Sequence, residues 1–124
     1  MAAFRTYYPD HGDIAHLNFS PSAGREMTGP HYALIITDRE YARVTGYALA
    51  CPITSHPRGW PFELAVPKGL LPLKAGEVLE SVILTDAVRQ IDFRERSAAL
   101  VAKAPTELVA AVLARIAALV HIST

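Results

Sequence analysis

The chain has 124 residues, 51% of them hydrophobic and 19% charged, which suits one folded domain with an ordinary core and excludes a disordered segment. Lys+Arg and Asp+Glu number 12 each, for a formal net charge of zero. That balance excludes the whole-molecule basicity of a typical nucleic-acid module but leaves room for a local basic patch.

Residues 1–12 read as an irregular lead-in that ends in the turn composition Pro9-Asp10-His11-Gly12. Asp13–Phe19 alternates weakly, with Ile14, Leu17 and Phe19 as its apolar members, and reads as a strand. Ser20–His31 is a loop punctuated by Pro21, Gly24, Gly29 and Pro30, in which Arg25, Glu26, Thr28 and His31 carry the chemistry. Tyr32–Thr37 is an apolar run of β-formers and predicts a buried strand. Asp38–Thr45 reads as a polar connection with a helical turn at most. Gly46–Pro52 and Phe62–Val66 predict two strands around a loop.

The stretch 49–64, Leu-Ala-Cys-Pro-Ile-Thr-Ser-His-Pro-Arg-Gly-Trp-Pro-Phe-Glu-Leu, is the most distinctive in the chain. Pro52 cannot donate to a ladder, so the strand before it is expected to end there or to lie at an edge. Pro57 and Arg58-Gly59 mark the loop, and Trp60-Pro61-Phe62 is expected to open the next strand. Thr54, Ser55, His56, Arg58 and Trp60 place a hydroxyl pair, an imidazole, a guanidinium and a large aromatic together, a composition suited to binding. Cys51, the single cysteine, cannot form an internal disulfide. It fits a reducing cytoplasm and predicts a thiol turned into the core.

Residues 67–80 hold Pro67, Gly69, Pro72 and Gly76 and read as loop, followed by short strands at Ser81–Thr85, Val88–Phe93 and Ala98–Ala102. The last element is a helix. Pro105 suits its first position and Glu107 places an acid in its first turn. At ~100° per residue, Leu108, Val109, Val112, Leu113, Ile116, Leu119 and Val120 fall within an arc of about 140° that is expected to pack on the sheet. The opposite face is almost all alanine, with Arg115 its one charge, and invites a covering partner. Short strands followed by one helix predict an α+β, mainly β fold: a strongly curved antiparallel sheet or barrel. No secretory signal or run of membrane-spanning length is seen, so no membrane partner is expected. His11, His16, His56 and His121 lack ligand spacing with a cysteine or acidic residue, so no metal is expected.

Five segments in order resemble the MazF/PemK family of toxins. They are Gly12-Asp13 with a strand ending in Phe19-Ser20-Pro21; Gly24-x-Glu26-x-x-Gly29; Cys51-Pro52-Ile53-Thr54 followed by Gly59-Trp60-Pro61-Phe62-Glu63; Asp86-x-Val88-Arg89-x-Ile91; and Pro105-x-Glu107-Leu108. The resemblance spans Gly12 to about Leu119. It implies an SH3-like small barrel of the PemK/MazF/CcdB kind with a C-terminal helix, assembled as a homodimer. It further implies a toxin that cuts single-stranded RNA without metal or other cofactor and is silenced by a disordered segment of its antitoxin. Glu26 and Thr54 match positions tied to the family's active site. The pattern departs at His31-Tyr32, where most members carry an Arg-Pro whose arginine is regarded as catalytic.

Metal-free cleavage by the ribose 2′-OH needs a base, an acid for the departing 5′-oxygen, and donors or positive charge for the phosphorane. Histidine titrates near neutrality and suits proton transfer better than arginine, so His31 is a candidate acid or base in the arginine's place. Glu26 is suited to orient His31 or to act as the base itself. Arg25 or Arg58 would hold the phosphate, with Thr54 donating a hydrogen bond. Thr28, Ser55, His56 and Arg89 are further candidate RNA contacts. Trp60 offers a stacking face for a base, while a tryptophan is on general grounds more often a core or interface anchor. The rival from another class is a binding toxin on the same fold, either a CcdB-like gyrase poison or a relative that has lost cleavage.

Overall fold

The computed structural model describes residues 6–20, 24, 29–72 and 80–120. Its strands are β1 (Asp13–Asn18), β2 (Pro30–Ile35), β3 (Tyr47–Thr54), β4 (Glu63–Ala65), β5 (Val82–Leu84), β6 (Arg89–Asp92) and β7 (Ala99–Lys103). Helix α1 (Arg39–Thr45) joins β2 to β3, and α2 (Thr106–Leu119) follows β7. All strand pairs are antiparallel, in the order β4-β5-β3-β2-β1-β7. The sixth strand lies on the same edge of β3 as β5, because β6 pairs Tyr47–Ala50 and β5 pairs Ile53 and Thr54. Among the described residues no ladder joins β7 to β4, so the curled sheet stays open. The mainly β architecture with a terminal helix is the one expected.

Both faces of the sheet are buried, which is why the strands read as apolar runs rather than as clean alternation. Residues two apart share a face. Ala15, Leu17 and Phe19, then Ala33 and Ile35, then Ala48 and Ala50, then Ile91 and Phe93 form the first cluster, joined by Ala42 of α1. The intervening residues Ile14, Leu34, Cys51, Ile53 and Ile83 form the second, which Val109 and Val112 of α2 cover.

Four expectations change in detail. Pro52 neither ends its strand nor lies outside the ladders: β3 runs on to Thr54, with Pro52 opposite Ala33. Leu49 N–H and C=O both point toward the β2 side, so by alternation Pro52 nitrogen points the other way. There the ladder is passing from β6 to β5, and no donor is needed. The polar connection 38–45 contains a complete short helix. Asp38 accepts Tyr41 N–H at 2.8 Å as its N-cap, and Gly46 closes it at φ 78°. Pro105 is the residue before α2 rather than its first helical residue. On α2, Val109 and Val112 are buried, but Leu113, Leu119 and Val120 remain 40%, 42% and 60% exposed. Leu108, Val109, Val112 and Ile116 pack against the sheet, and the rest of the apolar arc stays exposed. Part of the loop expected at 67–80, residues 73–79, lies outside the described residues.

A buried carboxylate ties the chain's start to the sheet. Asp13 is fully buried and accepts Tyr7 Oη at 2.6 Å and Asp10 N–H at 3.0 Å. Lys103 Nζ on β7 also donates to it. Beside this knot, Gly12 adopts φ +87° so that its N–H can reach Ile35 and its carbonyl can accept Ala104 N–H.

Candidate active site

The first face of the sheet ends in polar side chains. His31 belongs to the alternation of Ala33 and Ile35 and pairs with Leu17 of β1. The β2–β3 register stops at Tyr32↔Ile53, and His31 and Thr54 are the next residues of the two strands beyond it. Arg89, across from Ala50, joins the same face beside Ile91. His31 and Arg89 converge on the buried ring of Phe19. The Arg89 guanidinium carbon lies 5.1 Å from the Phe19 centroid, and the His31 ring 6.3 Å from it. Strands distant in sequence thus bring an imidazole and a guanidinium to one half-buried rim, with Thr54 closing β3 on the same face. Such a set can exchange a proton and hold an anion. Arg25, Glu26 and Thr28 lie outside the described residues.

Beyond β3 the chain turns out of the sheet. Thr54 Oγ1 accepts His56 N–H at 3.1 Å, and Ser55 Oγ lies 3.4 Å from His56 Nδ1, both side chains exposed. Trp60-Pro61-Phe62-Glu63 forms a turn rather than the start of a strand. Pro61 sits at its second position, and Glu63 N–H reaches Trp60 C=O at 3.1 Å. The Glu63 carboxylate folds back on the loop, accepting Arg58 N–H at 3.1 and 3.2 Å and Gly59 N–H at 3.0 Å. Phe62 C=O accepts the buried Thr85 hydroxyl at 2.5 Å, and Pro61 C=O accepts Arg115 of α2. On this frame the Arg58 guanidinium lies 5.2 Å from the Trp60 ring, and Phe62 meets Trp60 edge-on at 5.3 Å. Trp60 is still 47% exposed.

The residues singled out in the sequence therefore form two groups, His31, Thr54 and Arg89 on the sheet face and Arg58 with Trp60 on the loop. Sequence reasoning missed Glu63, Thr85 and Arg115 as supports of that loop. Arg115, the one charge on the alanine face of α2, reaches Pro61 within its own chain. Helix periodicity holds no signal for such a contact. Cys51 is buried as expected; burial, and secondarily the charge of Asp86, push its thiol up to about 12, so it is no nucleophile. Among the described residues no three His, Cys, Asp or Glu side chains group as metal ligands.

Comparison with known proteins agrees with this architecture. The chain is 33% identical over 92 residues to the endoribonuclease toxin MazF of Escherichia coli (strain K12), covering 74% of this chain and 76% of that one. It superposes on the crystal structure of MazF from Deinococcus radiodurans with a TM-score of 0.79 at 38% identity, covering 94% of this chain and 100% of that one. Against a MazE–MazF structure from the same organism the TM-score is 0.79 at 34% identity, covering 95% and 100%. The family model of the PemK-like, MazF-like toxins matches residues 10–120. With its buried two-faced sheet, terminal helix and the Gly59–Glu63 turn, the chain belongs to the PemK-like, MazF-like toxin family of type II toxin–antitoxin systems.

Proposed function

We propose that this protein is an endoribonuclease that cleaves single-stranded RNA at short sequences without a metal ion, and that a cognate antitoxin silences it. The observation that carries the reading is the meeting of His31 and Arg89 on Phe19. The relative from Escherichia coli, named an endoribonuclease toxin, supports it.

In the proposed reaction the ribose 2′-oxygen attacks the adjacent phosphorus and gives up its proton to a base. The P–O5′ bond then breaks, and the departing 5′-oxygen takes a proton. The products are a 2′,3′-cyclic phosphate and a 5′-OH. His31 serves one of the two proton transfers, a role that an imidazole suits. Arg89 and Thr54 face the phosphorane with charge and a hydrogen bond. Glu26, matched by resemblance, is the candidate for the other transfer, with Arg25 and Thr28 beside it in sequence. Ser55, His56, Arg58 and Trp60 hold the strand that leaves the rim.

The protein is further proposed to act in the cytoplasm as a homodimer, supported by its buried lone thiol and by Leu113, Leu119 and Val120 left exposed on α2. The antitoxin reading draws on the MazE–MazF structure from Deinococcus radiodurans. An acidic, disordered antitoxin segment would meet Arg25, Arg58 and Arg89 on an otherwise neutral chain.

The test is a purified-protein digest of a long RNA in EDTA, with fragment ends determined chemically. Cleavage leaving 5′-OH and cyclic phosphate ends is expected, and His31→Ala should slow it by at least ~100-fold. Full activity in His31→Ala would remove the proton-transfer role and move it to Glu26. RNA binding with no cleavage by the wild-type protein would instead favour a non-catalytic toxin, the reading that the His31-Tyr32 departure supports.

A further inference from the structure

The turn at Trp60–Glu63 is held more firmly than an exposed loop requires. Each of its first three carbonyls has a donor from a different source: Trp60 from Glu63 N–H, Pro61 from Arg115, and Phe62 from Thr85. The Glu63 carboxylate engages both N–H groups just before the turn. All this support surrounds one exposed feature, the Arg58 guanidinium against the half-exposed Trp60 ring. A surface aromatic fixed by an edge-on neighbour and a stacked cation has already lost the rotamer freedom that binding would otherwise remove. Its planar surfaces suit the face of an unpaired base.

We infer that Glu63 and Arg115 are positioning residues that hold Arg58 and Trp60 as a preformed stacking site for an unpaired base of the RNA substrate. This rests on the proposed reading of the loop as an RNA contact and extends it to two residues that touch no RNA themselves. Glu63 acts through the backbone of Arg58 and Gly59, and Arg115 through the carbonyl of Pro61. Arg115 also links the site to α2, so a ligand that shifts the helix would be felt at the stack.

Trp60 is the only tryptophan in the chain, so its fluorescence reports this site alone. Acrylamide quenching of Trp60 should rise in Glu63→Ala and in Arg115→Ala, with Glu63→Gln and Arg115→Lys restoring part of the protection. Affinity for a short, mixed-sequence 2′-O-methyl RNA, which cannot be cleaved, should fall roughly 10-fold in Trp60→Ala, within the range for one lost stack. It should fall several-fold in the two positioning variants. On cleavable RNA the loss should appear in KM with kcat near wild type. Circular dichroism melts identify any variant that has lost its fold, and the two supports are independent, so one folded variant suffices. Wild-type quenching and affinity in a folded Glu63→Ala or Arg115→Ala would overturn the positioning roles. Unchanged affinity in Trp60→Ala would overturn the RNA reading of the loop itself, and the quenching data would still show whether the clamp exists.

Discussion

Replacing Asp13 with alanine should be among the most damaging single changes outside the apolar core. The carboxylate is fully buried where the lead-in, β1 and β7 meet. Removal strands the Tyr7 hydroxyl and Asp10 N–H, each bonded to an ionised acceptor and each costing about 1.5 kcal/mol when lost. The ion pair adds little, because the Lys103 side chain is 58% exposed and its ammonium can return to water. The expected loss is about 3 kcal/mol, a fall in Tm of roughly 10 °C for a chain of this size. Urea unfolding followed by far-UV circular dichroism measures it, with an unchanged m-value showing that the denatured state is unaltered. Lys103→Ala is the control and should cost no more than ~1 kcal/mol. A loss below ~1 kcal/mol in Asp13→Ala, or equal losses in the two variants, would show that the buried hydrogen bonds are not what anchors the lead-in.

Burial, reinforced by the hydrogen bond and charge of Asp13, raises Tyr7 above its ordinary value of 10.0. The folded chain therefore keeps a proton that the unfolded chain releases, and this contribution to stability is full below pH 10 and lost as pH rises further. Urea midpoints across that window should fall more steeply in wild type than in Tyr7→Phe, and parallel curves would contradict the assignment. Cys51, pushed up to about 12 by burial, should stay unreactive to a disulfide reagent at neutral pH until the chain unfolds; rapid labelling of folded protein would place the thiol nearer the surface. Gly12→Ala should cost about 1–2 kcal/mol, almost all from the backbone, because φ is +87° while the new Cβ would meet Val109 Cγ2 at an ordinary 3.6 Å. A thermal melt measures it, and a neutral change would mean that the backbone relaxes there.

The sequence alone carried most of the β framework. Runs such as Tyr32–Thr37 and the residues before Pro52 are apolar on successive positions, and only a strand buried on both faces needs that. It also carried the terminal helix and the loop at Pro57–Gly59, because proline and glycine impose local geometry, whereas Trp60-Pro61-Phe62 makes a turn where a strand start is expected. The helix at 39–45 was underread although its cap Asp38 and its stop Gly46 were in view, since one buried residue, Ala42, leaves no periodicity to detect. Pro52 misled because the edge of a strand is a property of its neighbours: its missing donor falls where β6 gives way to β5. Leu113, Leu119 and Val120 stay exposed because an arc defined by angle says nothing of how far the sheet extends beneath it. The tertiary fold alone brought His31 and Arg89 together on Phe19 and carried Arg115 to Pro61, because register and helix placement are set by long-range packing that no local pattern encodes.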